Sequence, residues 1–213
     1  YTQNTEGGYY THYVDNSITG ATDTSNTFGT LVKPRKTIPQ NLPEGSVVEV
    51  HGGPYTYGNY NGNSYVAMSG TGTSSKPVFI RGYSETNKTI ILGRTAWVRG
   101  HYLIIENFDF NGNQTVGSSV NIRPWPNEPA DPAGFMHHIS IRNCEARNIS
   151  KTPRSSSVMS PSGLITSEIT DVVFYKNHIH ADDLDALNSD TIEKDSVGIF
   201  PGFYTNRVWI VDN

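Results

Sequence analysis

Cysteine is almost missing. Cys144 is the only one in 213 residues, so no disulfide within the chain can hold it together. A single Cys beside Asn143 is expected to be a small buried side chain rather than a catalytic thiol. Charge is scarce too, at 17% of residues, which argues against a coiled coil or a charged disordered segment. The formal net charge is −4, and there is no basic run, so the electrostatic footprint of a nucleic-acid binder is missing. No apolar run approaches the roughly 18 residues of a membrane-spanning helix. An initiator Met is lacking as well. The chain begins at Tyr1, and a chain either trimmed or processed, as by removal of a signal peptide, is expected. What remains is rich in Gly and Tyr, with 20 and 12 copies. That mixture suits an extracellular β-protein, secreted or displayed at the cell surface. The length is sufficient for one domain with a real core.

One stretch recurs. HYLIIENFDF at 101–110 returns as HHISIRNCEA at 137–146, as DVVFYKNHIH at 171–180 and in part as RVWIVDN at 207–213. Aligned on Asn107, Asn143, Asn177 and Asn213, the copies are 36, 34 and 36 residues apart. Leu103, Ile139, Val173 and Trp209 stand four positions before each Asn. Apolar residues alternate with polar ones in each copy, the signature of strands with one buried face. Short strands repeating at this period predict a solenoid, in which no coil can bury its apolar face alone. Stacking would put Leu103, Ile139, Val173 and Trp209 over one another inside. It would also align the Asn amides, each satisfying the next. Glu106, Arg142, Lys176 and Asp212 form the outward row. Opposite charges on neighbouring strands contribute roughly 0.2–1 kcal/mol each, and Arg142 beside Lys176 is the weak step.

Taken in order, residues 1–45 read as an N-terminal capping region and 46–213 as coils. YYTHYVDN at 9–16 is a first short strand. KPRKTIPQNLPEGS at 33–46 is expected to hold a short capping helix between Thr37 and Pro43. SVVEVHGG at 46–53, KPVFIRG at 76–82, TIILG at 89–93 and SVNIRP at 119–124 read as strands. The segment 54–70 is aromatic and Gly-rich and is expected to project as a hairpin or loop. The chain stops at Asn213, inside a ladder strand. An open end of that kind implies a fragment of a longer solenoid, continuation by another chain, or end-to-end self-association.

The Asn ladder and strand pattern resemble the right-handed parallel β-helix proteins of the pectate-lyase-like superfamily. LPEGSVVEVHGGPY at 42–55 and GTSSKPVFIRG at 72–82 resemble the N-terminal half of the chondroitinase B and alginate lyase type. The resemblance implies an all-β, right-handed parallel β-helix and activity on an acidic polysaccharide. TNRVWIVDN at 205–213 resembles the calcium-binding "vWIDH" strand of pectate lyases. Val211 is inserted before Asp212, and Asn213 stands where that pattern has His.

Functional chemistry is expected on the loops, as is usual for a rigid scaffold. HIHADDLDALNSDTIEKDS at 178–196 carries Asp182, Asp183, Asp185 and Asp190, hard oxygen ligands suited to Ca²⁺. EARNISKTPRSSSVMSPSG at 145–163 supplies Arg147, Lys151 and Arg154. β-Elimination on a uronate needs a neutralised carboxylate, a base for the C5 proton and an acid for the leaving oxygen. Arg154, Lys151, Arg147 and Asp183 are the catalytic candidates. Tyr55, Tyr57 and Tyr60 are candidates for stacking on sugar rings. Trp125, at the start of the Pro-rich segment 125–136, joins them. A glycoside hydrolase ranks lower. ADDLDAL at 181–187 resembles the acidic segment of polygalacturonases, but their Gly-His-Gly and Arg-Ile-Lys elements are missing. A non-catalytic polysaccharide-binding or filament-forming surface β-helix is the alternative, with the acidic run then a solvated face or a structural Ca²⁺ site. His178 and His180 would share one face of a strand. With Asp182 or Asp183 they would form an incomplete transition-metal set.

Overall fold

The structure is a computed structural model, and it describes residues 3–58, 65–124, 134–149, 155–180 and 195–213. The described residues contain no helix. They form β1 (His12–Asp15), β2 (Val47–His51), β3 (Tyr65–Thr71), β4 (Val78–Gly82), β5 (Thr89–Leu92), β6 (Thr95–Glu106), β7 (Phe108–Asn111) and β8 (Val120–Ile122). β9 (Met136–Arg142), β10 (Glu145–Arg147), β11 (Ser155–Pro161), β12 (Ile169–Tyr175), β13 (His178–Ile179), β14 (Asp195–Ile199) and β15 (Thr205–Val211) follow. Every pairing between these strands is parallel.

The chain winds as a parallel β-solenoid of about five turns. Face one stacks β3, the first half of β6, β8, β11 and β14. Face two stacks β1, β2, β4, the second half of β6, β9, β12 and β15. Face three stacks β5, β7, β10 and β13. Strand β6 turns the corner between faces one and two without a break. Gly100 makes that corner at φ +133, beside Gly70 in the register, and a Cβ there would collide with the Gly70 carbonyl. Only glycine fits.

The inward positions are the apolar ones. Val48, Ile80, Ile105, Ile141 and Phe174 stack inside face two, and Ile91, Phe110 and Ala146 inside face three. Fully burying such a side chain contributes roughly 1.5–3 kcal/mol, and each coil supplies the cover that its neighbour needs. Cys144 is 1% exposed, and burial pushes its thiol up to about 12. It is an inert packing residue, as the sequence suggested.

The ladder exists, with one fault. Asn143 donates to Asn107 Oδ1 at 2.8 Å, and Asn177 donates to Asn213 Oδ1 at 2.8 Å. Between Asn143 and Asn177 no amide pair forms. Asn177 donates instead to the Ile141 carbonyl and accepts from the Cys144 N–H. The cause is the register. Ile139 pairs with Val172 and Ile141 with Phe174, a step of 33, whereas the two Asn are 34 apart. The extra residue is Lys176, in the left-handed region at φ +52.

That slip corrects the predicted interior. Val172 and Phe174 point inward, while Val173 lies on the outer surface and Trp209 is 46% exposed. The Glu106–Arg142 pair forms at 2.6 Å. Arg142 is opposite Tyr175, so the predicted clash with Lys176 does not arise.

Three other expectations are overturned. Residues 33–46 form no helix. Pro39 and Pro43 deny donors to a helical ladder, and Leu42 bridges to Gly70, extending face one. Within 54–70, Tyr65–Thr71 is not a loop but β3, burying Val66 and Met68. The segments 145–163 and 178–196, read as loops, contain β10, β11, β13 and part of β14.

Candidate functional site

Face two carries an irregularity that repeats from coil to coil. Tyr102, His138, Asp171 and Arg207 have φ of 45, 51, 58 and 52. The register brings them side by side, because His101 pairs with His137, His137 with Thr170, and Thr170 with Asn206. A left-handed residue inside a strand breaks the two-residue alternation, and the register survives because each neighbouring strand carries one at the same place. Met136 and Ile139 are both buried, as are Ile169 and Val172, three residues apart in each case. The two residues between them are therefore both directed away from the core. Each such non-glycine position costs of order 1–3 kcal/mol, and such positions cluster at functional sites.

The outward pairs are His101–Tyr102, His137–His138, Thr170–Asp171 and Asn206–Arg207. The His101 and His137 rings stack at 5.0 Å and 6°, and Tyr102 stacks on His138 at 4.5 Å and 24°. His137 Nδ1 lies 2.8 Å from His138 Nδ1, so one of the two nitrogens carries a proton. Partial burial and the neighbouring His101 and His138 hold His137 below the ordinary imidazole range. Arg207 grips both oxygens of Asp171 at 2.6 Å, which holds that carboxyl down at about 2.

Beside this column runs a second outward row of Phe79, Ile104, Ser140, Val173 and Trp209. From Ile104 to Trp209 it floors a depression of about 410 Å³ lined also by Ser74, Pro77, Tyr102, His138 and Asp171. A second depression of about 540 Å³ shares Pro77 and continues to Tyr9 and Tyr10. Together they trace a shallow groove along the solenoid axis. Beyond the apolar row lies a charged one, where Glu49 meets Arg81 at 3.0 Å and Glu106 meets Arg142.

Among the described residues, the groove draws in none that the sequence nominated. Tyr55 is 4% exposed, and its hydroxyl donates to the His51 carbonyl at 2.6 Å, so its ring presents no face to a sugar. Tyr57 is 60% exposed with the Lys36 ammonium 5.4 Å from its ring centre, an open platform away from the groove. Arg147 lies on face three and grips Asp109 through two nitrogens, at 2.8 and 3.1 Å. A guanidinium so engaged is a poor base. Tyr60, Trp125, Lys151, Arg154, Asp182, Asp183, Asp185 and Asp190 lie outside the described residues.

Sequence reasoning missed His101, Tyr102, His137, His138, Asp171 and Trp209. The signal was present as a three-residue gap between buried positions, Met136 to Ile139 and Ile169 to Val172, where strict alternation demands two.

No helix of the described residues is long and apolar enough to cross a membrane. In comparisons with known proteins, no family model, no curated protein and no solved structure matches this chain.

Proposed function

We propose that the protein is an extracellular carbohydrate-active β-solenoid that takes an acidic polysaccharide along the face-two groove and cleaves it by β-elimination. The observation that carries this is the contact of Tyr102, His137 and His138 at the edge of an axial groove with an apolar floor. An extended polymer matches a groove that spans several coils. Aromatic faces such as Trp209 suit the apolar face of a pyranose. Imidazole is the side chain best matched to general base work near neutrality, and a phenol can give a proton to a leaving oxygen. In this reading His138 takes the C5 proton and Tyr102 returns one to the leaving oxygen. Asp182, Asp183, Asp185 and Asp190 would hold a Ca²⁺ ion, which would supply the positive charge that neutralises the uronate carboxylate. Arg154 and Lys151 are the alternative bases.

A non-catalytic binding role is the second reading. It is favoured by the pairing of Arg81, Arg142 and Arg207 with carboxylates along the groove. Ion pairs of this kind leave little net positive charge for an anionic substrate.

One assay separates them. The chain is incubated with alginate, pectate, chondroitin sulfate and ulvan, with and without chelator, and the ultraviolet absorbance of unsaturated product is followed. The lyase reading expects a rise on one polymer that His138→Ala or Tyr102→Phe abolishes while the fold and polymer retention persist. A rise lost only in Arg154→Ala or Asp183→Ala moves the chemistry to the segments 145–163 and 178–196. Retention without turnover, weakened by Trp209→Ala, supports binding alone. Neither retention nor turnover sinks both readings.

A further inference from the structure

The geometry points to a divalent transition-metal site on face three, formed by Glu145, His178 and His180 and separate from the face-two groove. Strand β13 ends at Ile179, but the chain stays extended, since His180 N–H donates to the Ala146 carbonyl at 3.1 Å. Ile179 packs against the core, so His178 and His180 both face outward. Their rings stack at 4.3 Å and 28°. The third group comes from the neighbouring coil. Glu145 pairs with His178 in the β10–β13 register, and its Oε1 stands 2.9 Å from His180 Nε2.

The ligand atoms of all three side chains lie within 4.8 Å of one another. Two ligands of one tetrahedral ion stand about 3.3 Å apart when the bonds are about 2.0–2.1 Å. Small side-chain rotations therefore suffice to close the set. Two imidazoles and one carboxylate select zinc, cobalt, nickel or copper over calcium or magnesium, whose preferred ligands are all oxygen. Three protein ligands leave a fourth position for water, as in open zinc sites. Arg147 completes the surroundings. While holding Asp109, it places its Nε 3.4 Å from Glu145 Oε1, which orients the carboxylate toward the histidines. Such supporting contacts commonly tune metal affinity by about 10–100-fold. Because Glu145 and the histidines belong to successive coils, an ion here ties those coils together.

The test uses the whole chain, with Zn²⁺ titrated calorimetrically and Co²⁺ followed by its visible spectrum. One ion per chain is expected, with a Co²⁺ spectrum of four-coordinate intensity. Glu145→Gln and His178→Ala should each weaken Zn²⁺ binding by at least about 10-fold, with an unchanged far-ultraviolet spectrum. The metal should raise the melting temperature of the parent chain and not that of His178→Ala. His51→Gln, at a different His–Glu pair, should bind like the parent. Absence of binding overturns the proposal. So does binding that survives both substitutions, or binding that is abolished by His137→Ala instead. None of these outcomes depends on whether the groove acts on a polysaccharide.

Discussion

Asn177 shows how much one side chain carries. It is 3% exposed, its oxygen accepts from the Cys144 N–H, and its amide donates to Ile141 and to Asn213. Replacing it by Ala orphans a buried backbone donor, which costs about 1–3 kcal/mol. Urea denaturation of Asn177→Ala should show that loss. Asn177→Asp should fare no better, because a carboxylate cannot donate to the Ile141 carbonyl. At this scale the sequence was informative about which Asn residues mattered. It was silent on their partners, because those depend on a register that the pattern near Lys176 obscures.

At the scale of the strand, β12 is the decisive case. Alignment on the Asn repeat puts Val173 inside, whereas the folded strand buries Val172 and Phe174. Both choices satisfy alternation, and a slip of one residue exchanges the two faces. What tips the balance is apolarity. The folded register buries Val172 and Phe174, whereas the other would bury Val173 and Tyr175 and take a phenol hydroxyl out of water. Phe174→Ala should therefore cost about 3–5 kcal/mol, and Val173→Ala no more than about 0.5 kcal/mol, in equilibrium unfolding. The reverse order would restore the sequence-based register. The left-handed positions at Tyr102, His138, Asp171 and Arg207 escaped detection for a related reason. A strand with two successive outward residues violates the period used to find strands, so these positions looked like strand edges.

For the whole molecule, the fold was legible because a solenoid repeats its instructions and four copies of one pattern corroborate one another. The acidic and basic segments carry no repeat, so sequence placed them only by ligand type. Stability against acid is also a property of the stack. His12 is 5% exposed on β1, and burial, reinforced by Arg35, holds it down at about 4. Its unfolded-state value is about 6.5. The unfolded chain therefore takes the proton first as pH falls. The contribution of neutral His12 is complete above about 6.5 and is lost progressively toward about 4. Melting temperatures measured across that window should fall with acid, and the slope should be shallower in His12→Asn. An equal slope in both proteins would remove His12 as the cause.

The left-handed column has one more consequence. Coils stack about 4.7–4.9 Å apart, so its outward pairs are set at a fixed pitch: two aromatic-rich pairs, then a carboxylate, then a guanidinium. That series reads differently from its two ends. A chain molecule lying in the groove meets imidazole and phenol at one end and an ion pair at the other, so its two orientations are unequal in energy. The solenoid gives its groove a polarity, and a polymer with distinct ends would be held in one sense.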